Sequence, residues 1–112
     1  MLKILKQDKD ANILVITPLL TGHQIFNQTK TALQRNTVPY IWASFEGSGK
    51  HAFNVQAGLD EYKRQFGKFP PYIQILDRDI IAGRYMLDRL LDVLSRAQIR
   101  SDKKIGYAYA SF

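Results

Sequence analysis

The segment that most constrains the fold is Ile13-Leu14-Val15-Ile16-Thr17, an unbroken apolar run opened by Asn12 and closed by Pro18. A half-buried strand alternates apolar and polar residues, whereas a strand buried on both faces reads as a continuous apolar stretch, the pattern of parallel sheets covered by helices. Two more apolar runs follow at similar spacing, Val38-Pro39-Tyr40-Ile41-Trp42-Ala43-Ser44-Phe45 and Tyr72-Ile73-Gln74-Ile75-Leu76. Pro39 falls near the start of its run, where a missing N–H is tolerated.

Helical periodicity fills the gaps between these runs. From about His23 to Arg35, Ile25, Thr29, Ala32 and Leu33 share a face with Phe26 beside it. From about Phe53 to Phe66 the spacing of Val55, Leu59, Tyr62 and Phe66 predicts a second helix, with Gly67 placed to end it. Leu87, Leu90, Leu91 and Leu94 predict a third over about Gly83 to Ala97, and Lys104 to Ala110 reads as a last strand. Strand and helix alternate three times before that strand, which predicts an α/β fold with a mostly parallel sheet in a three-layer sandwich. A length of 112 residues fits one domain.

Composition excludes several classes. With 46% hydrophobic and 23% charged residues the chain is neither disordered nor low in complexity. It has no cysteine, which removes disulfides, zinc–thiolate centres and cysteine nucleophiles together. No apolar run reaches the ~20 residues that span a bilayer, and Met1-Leu2-Lys3-Ile4-Leu5-Lys6 is too short for a signal-peptide core. A cytoplasmic address, with a workplace peripheral to the membrane left open, is the expectation. The net charge of +6 favours anionic partners, but the cations are scattered rather than in a block. Neither a recognition helix nor an interleaved basic and aromatic platform is present, so no nucleic-acid partner is expected.

In an open parallel sheet, ligands bind beyond the carboxyl ends of the strands. That rule selects Thr17 to Gly22, Phe45 to His51, and Asp77 to Asp79. In extended chain Asp77 and Asp79 project to the same side, and two carboxylates with waters and phosphates suit Mg²⁺ or Mn²⁺. The plainer role for an aspartate here is to start a turn or cap a helix. Glu46-Gly47-Ser48-Gly49-Lys50 fails as a P-loop, because Ser44 stands at the first glycine and His51 at the Ser/Thr position. His23 and His51 have no partner at metal-ligand spacing in the sequence, and fit loop or helix-end positions. No serine sits in a G-x-S-x-G elbow, and Trp42 reads as core.

Taken in order, these segments resemble the N-terminal, nucleotide-binding half of GT-A glycosyltransferases of the family-2 type. The resemblance rests on Ile13-Leu14-Val15-Ile16-Thr17-Pro18, Phe45-Glu46-Gly47-Ser48, Ala52-Phe53-Asn54 with Gly58-Leu59, Ile73-Gln74-Ile75-Leu76-Asp77-Arg78-Asp79, and Leu87-Asp88-Arg89-Leu90-Leu91, and covers roughly residues 11–110. It implies a Rossmann-like fold with the Asp-x-Asp strand beside the first strand, a 2-1-3 order. Thr17 and Pro18 would line the nucleotide pocket, Glu46 would contact uracil or another base, and Asp77 and Asp79 would hold Mn²⁺ or Mg²⁺ against the diphosphate, with Asp79 the direct ligand. The partners implied are a nucleotide sugar, UDP-sugar first, and a glycan or lipid-linked acceptor; self-association is left open.

Phe45 stands where the family pattern has its first acidic residue, Phe53 where it has arginine, and two residues are inserted before Gly58. The family's acceptor half and catalytic base lie downstream of its Asp-x-Asp strand. The chain is therefore expected to be the donor-binding part of a longer transferase that continues past Phe112. The alternative is a non-enzymatic α/β binding or assembly module with a basic surface, in which Asp77 and Asp79 are turn residues. A phosphoacceptor receiver domain would need an acidic pair where Thr17-Pro18 stands.

Overall fold

The computed structural model describes residues 1–80 and 86–100. In chain order its elements are β1 (Leu2–Gln7), β2 (Ile13–Leu20), α1 (Asn27–Gln34), β3 (Ile41–Gly47), α2 (His51–Phe66), β4 (Tyr72–Ile75) and α3 (Met86–Arg100). The fold is α/β, with a four-stranded sheet in the order β1-β3-β2-β4. β2 runs parallel to β3 and to β4, and β1 joins β3 antiparallel. The expected 2-1-3 order of the three apolar runs is therefore present, as β3-β2-β4. The expected final strand, Lys104 to Ala110, and the start of the third helix at Gly83 lie outside the described residues.

The chain forms two compact units, one of Met1–Phe26 with Pro39–Ile80 and one of Asn27–Val38 with Ile81–Phe112. The first holds the sheet and α2. β2 is buried on both faces, as its continuous apolar run requires: Ile13, Leu14, Val15, Ile16 and Thr17 are all at or near zero exposure. Leu14 and Ile16 cluster with Ile41, Ala43 and Tyr62, and Leu2, Ile4, Leu59 and Phe69 pack against this group. Tyr62 stacks on Phe66 and Phe69 with ring centroids 4.6 and 5.8 Å apart. Gly58 lets α2 come close to the sheet, since a Cβ there would stand 2.9 Å from Phe45 Cβ and 3.1 Å from Ile16 Cδ1. Gly67 ends α2 as expected, in the left-handed conformation at φ 82° with its N–H bonded to Lys63 O.

Two of the differences from the sequence reading have identifiable reasons. Pro18 does not close β2, which runs on to Leu20. Ile16 O accepts the Leu76 N–H, so the even-numbered residues of β2 turn their backbone groups toward β4. The absent N–H of Pro18 therefore falls on the side where β4 has already ended at Ile75, and the ladder to β3 continues through Pro18↔Phe45 to Leu20↔Gly47. This longer β2 moves the start of α1 from His23 to Asn27, with a turn at Leu20–His23 closed by His23 N–H to Leu20 O, 2.9 Å. The second difference is β1, an edge strand that the sequence reading left unassigned. It is short, bulged between Ile4 and Lys6, and carries Lys3 and Lys6, the ordinary protections of a sheet edge.

In the second unit a reciprocal pair of side chains joins the end of α1 to the start of α3. Asn36, buried, donates to Leu33 O at 2.8 Å and accepts from the Leu87 and Asp88 amides at 2.7 and 3.3 Å, supplying the cap that the first turn of α3 needs. Asp88 answers by accepting the Thr37 and Val38 amides and the Thr37 hydroxyl at 2.8–3.0 Å. Burial alone would raise the Asp88 carboxyl; the three donors outweigh it and hold its pKa below the usual carboxylate value. Among the described residues no helix is long and apolar enough to cross a membrane.

Candidate functional site at the carboxyl edge of the sheet

Parallel strands deliver their carboxyl ends to one edge, and β2, β3 and β4 do so side by side. A cleft of about 530 Å³ opens there within the first unit. All three segments selected from the sequence contribute to it: Pro18 to Leu20 after the core of β2, Ser48 to His51 after β3, and Asp77 to Asp79 after β4. His23 and Asn54 complete the lining.

Asn54, only 3% exposed, fixes one wall. Its amide nitrogen lies 3.1 Å from each of three carbonyl oxygens, those of Leu19, Gly47 and Gly49, so one side chain ties the ends of β2 and β3 to the loop that opens α2. Gly47 is required by this closeness, because a Cβ there would stand 2.7 Å from Asn54 Oδ1. On the opposite side of β2, the chain after β4 holds the chain before α1. Phe26 N–H donates to Arg78 O at 2.9 Å, the Arg78 guanidinium donates to Gln24 O at 3.4 Å, and its charge lies 5.0 Å from the Phe26 ring centroid.

The expected site residues separate into two groups. Pro18, Asp77 and Asp79 line the cleft together. Thr17 does not: it is fully buried, and its hydroxyl accepts the Trp42 indole N–H at 2.9 Å, which also places Trp42 in the core. Glu46 is exposed at the end of β3 and accepts the Gly22 N–H at 2.7 Å, fastening the turn after β2. The backbone of Asp77–Asp79 is not extended. Ile80 N–H donates to Asp77 O at 3.3 Å, so Asp77 opens a turn, and the two carboxylates share the cleft through that turn rather than through strand alternation.

One pairing was invisible in the sequence. His51 Nε2 and Asp77 Oδ1 lie 2.6 Å apart, 26 residues apart in the chain, with the two side chains 58% and 47% exposed. His51 is the first residue of α2, as a helix-end role predicts, and the β2–β4 neighbour relation carries Asp77 to it. No local spacing encodes that contact. Around it the cleft gathers His23 and the cations Lys50 and Arg78 beside the carboxylates of Asp77 and Asp79.

No protein-family model, curated protein or solved structure matches the chain. The site has therefore to be read from its own chemistry. Among the described residues no group of three or more His, Asp or Glu side chains is placed to hold a metal ion. What the cleft offers a divalent cation is the hard oxygen pair of Asp77 and Asp79, a set that Mg²⁺ or Mn²⁺ completes with water and substrate phosphate. Asp77 presents two carboxylate oxygens, one of them already on His51. The donor types fit such an ion; they do not form a closed all-protein cage.

Proposed function

We propose that this chain is the donor-binding portion of a glycosyltransferase of the GT-A kind, a Rossmann-like three-layer sandwich that takes a nucleoside-diphosphate sugar into the cleft. The observation that carries the reading is the meeting of Pro18, Asp77 and Asp79 in one cleft at the carboxyl edge of β3-β2-β4. Asp77 and Asp79 would hold Mn²⁺ or Mg²⁺ against the diphosphate and Pro18 would face the nucleoside, while Glu46, whose carboxylate accepts the Gly22 N–H, stands outside the cleft lining. When bound, the metal offsets negative charge on the departing diphosphate. The chain's own cations, Lys50 and Arg78, add favourable charge to the same cleft. The sugar passes to a glycan or lipid-linked acceptor, with the catalytic base supplied from outside these residues.

Calorimetry of UDP and a UDP-sugar, with and without Mn²⁺, on the wild-type chain and Asp79→Ala tests this. Binding is expected to need the metal and to fall at least about tenfold in Asp79→Ala, the loss of one charge-assisted ligand. For either ligand, equal affinity in its four cells would remove the metal site, and no binding of either ligand in any cell would remove the nucleotide reading.

The turn at Asp77–Ile80 favours a second reading, a non-enzymatic α/β binding or assembly module in which Asp77 shapes the turn and orients His51. Salt-sensitive binding of RNA or DNA with no response to UDP would select it.

A further inference from the structure

We propose that β4 is a self-association edge, along which a second copy of this chain pairs antiparallel, with Ile73 of each strand opposite Ile75 of the other. Among the described residues β4 has a strand on one side only, that of β2. Tyr72 N–H donates to Asn12 O at 3.1 Å and Leu76 N–H to Ile16 O at 2.9 Å, so the even-numbered residues of β4 turn their backbone groups to β2. Those of Ile73 and Ile75 therefore face the open side. Ile75 O accepts the amide of the adjacent Gln74 side chain, at 2.8 Å, in place of a neighbouring strand.

The side chains make that open edge apolar. Ile73 and Ile75 lie beside Leu14 and Ile16 of β2 and share their face of the sheet. α2 covers that face over β2 and β3, yet Ile73 and Ile75 stay 41% and 45% exposed. The opposite edge, β1, is protected by Lys3, Lys6 and a bulge, whereas Phe69 to Leu76 holds no charge.

Geometry selects the occupant and its register. With a two-fold axis normal to the sheet, Gln74 meets the partner's Gln74 at the axis, and each Ile73 exchanges both backbone hydrogen bonds with the partner's Ile75. That register makes two apolar cross-strand pairs on one face. One step earlier, Ile75 would meet Pro71, which has no N–H to give. One step later, Ile73 would meet Asp77, where the chain has already turned. Charge favours the antiparallel direction too. Exposed Lys68 precedes the strand and exposed Asp79 follows it, so an antiparallel copy sets each near its opposite, and a parallel copy would set like beside like. Four residues a side make a small interface, so the association is weak and concentration-dependent.

The chain has no cysteine, so single cysteines report the register cleanly. Gln74→Cys, Ile73→Cys and Ile75→Cys chains are oxidised mildly, and the wild type and Ile75→Lys are sedimented over a wide range of concentration. The wild type is expected to form a reversible dimer, and Ile75→Lys to dimerise at least about tenfold more weakly, because it sets an ammonium in each apolar pair. Gln74→Cys is expected to link into a disulfide dimer, since Cα atoms at such a pair stand about 4.5 Å apart. Ile73→Cys and Ile75→Cys should link far less, each lying two residues out of register with its own copy and beyond the ~7 Å that a disulfide spans. A wild type that stays monomeric throughout overturns the proposal; if its Ile73 and Ile75 amides also resist hydrogen exchange, the edge belongs to another part of the same chain. Unchanged dimerisation in Ile75→Lys, or equal linking at all three positions, puts the contact elsewhere and overturns it as well.

Discussion

Replacing Asn54 tests whether the cleft wall is held by one side chain. The Asn54 amide has two hydrogens and three carbonyl acceptors, each 3.1 Å away, so it makes about two full hydrogen bonds with one shared. In Asn54→Ala those acceptors lose their donor in a place that is 97% shielded on the Asn54 side, given 3% exposure. At about 1 kcal/mol for each net hydrogen bond and about 1–3 for an acceptor left unsatisfied, the cost is about 2–4 kcal/mol. Alanine's better helix propensity returns up to ~0.7, which leaves about 1.5–3.5 kcal/mol. In urea, with a slope of about 1.5 kcal/mol/M, the midpoint should fall by about 1–2 M with no change of slope.

Asn54→Asp separates hydrogen bonding from packing. It keeps the shape but turns a carboxylate on three carbonyl oxygens, which raises its pKa in the folded state above the ordinary ~3.9. The native state then binds the extra proton, so stability falls as pH rises from the unfolded value through the raised folded one. The aspartate variant should be less stable than the alanine variant at pH 8 and should recover toward it at pH 5. A midpoint shift in Asn54→Ala worth less than about 0.5 kcal/mol, or an Asn54→Asp chain as stable as Asn54→Ala at pH 8, would refute the view that the amide is what fastens the wall.

Gly58→Ala should destabilise the fold by about 1 kcal/mol, because overpacking of ~1–3 against Phe45 and Ile16 exceeds the ~1 that alanine gains in a helix; urea unfolding that shows a more stable variant would mean α2 is free to move off the sheet. The depressed Asp88 carboxyl contributes stability that is present above the unfolded pKa and is lost as pH falls through the folded one, so thermal melts should weaken below about pH 4. Asp88→Asn should lower the melting temperature at pH 7 and flatten that acid dependence, and a variant with the same acid slope would assign it to other carboxylates.

Much of the fold is legible because each piece has a local cause. Ile13 to Ile16 are apolar in succession because both faces of β2 are covered, and Gly67 is glycine because the α2 cap needs a positive φ. Where the sequence misleads, a long-range fact decides. Pro18 is a strand breaker only if its missing N–H would face a partner, and whether it does depends on how far β4 extends beside it. His23 to Ile25 carry helical periodicity, yet the extension of β2 and the turn at Leu20–His23 leave them outside α1. β1 was hidden by its own edge protection, since Lys3 and Lys6 read as scattered charge until β3 is known to lie alongside.

The site divides along the same line. The rule of strand ends located the cleft from sequence because it needs only strand direction, and β2, β3 and β4 are parallel. The roles of side chains within it depend on which neighbour each one meets. Thr17, one residue from the cleft, spends its hydroxyl on Trp42; Glu46 fastens Gly22; Asn54, unremarkable in a helix, holds three carbonyls; His51 finds Asp77. The loops at this edge are thereby tied to one another by side chains already engaged. Of the charged residues on the cleft lining, Lys50 and Asp79 are exposed.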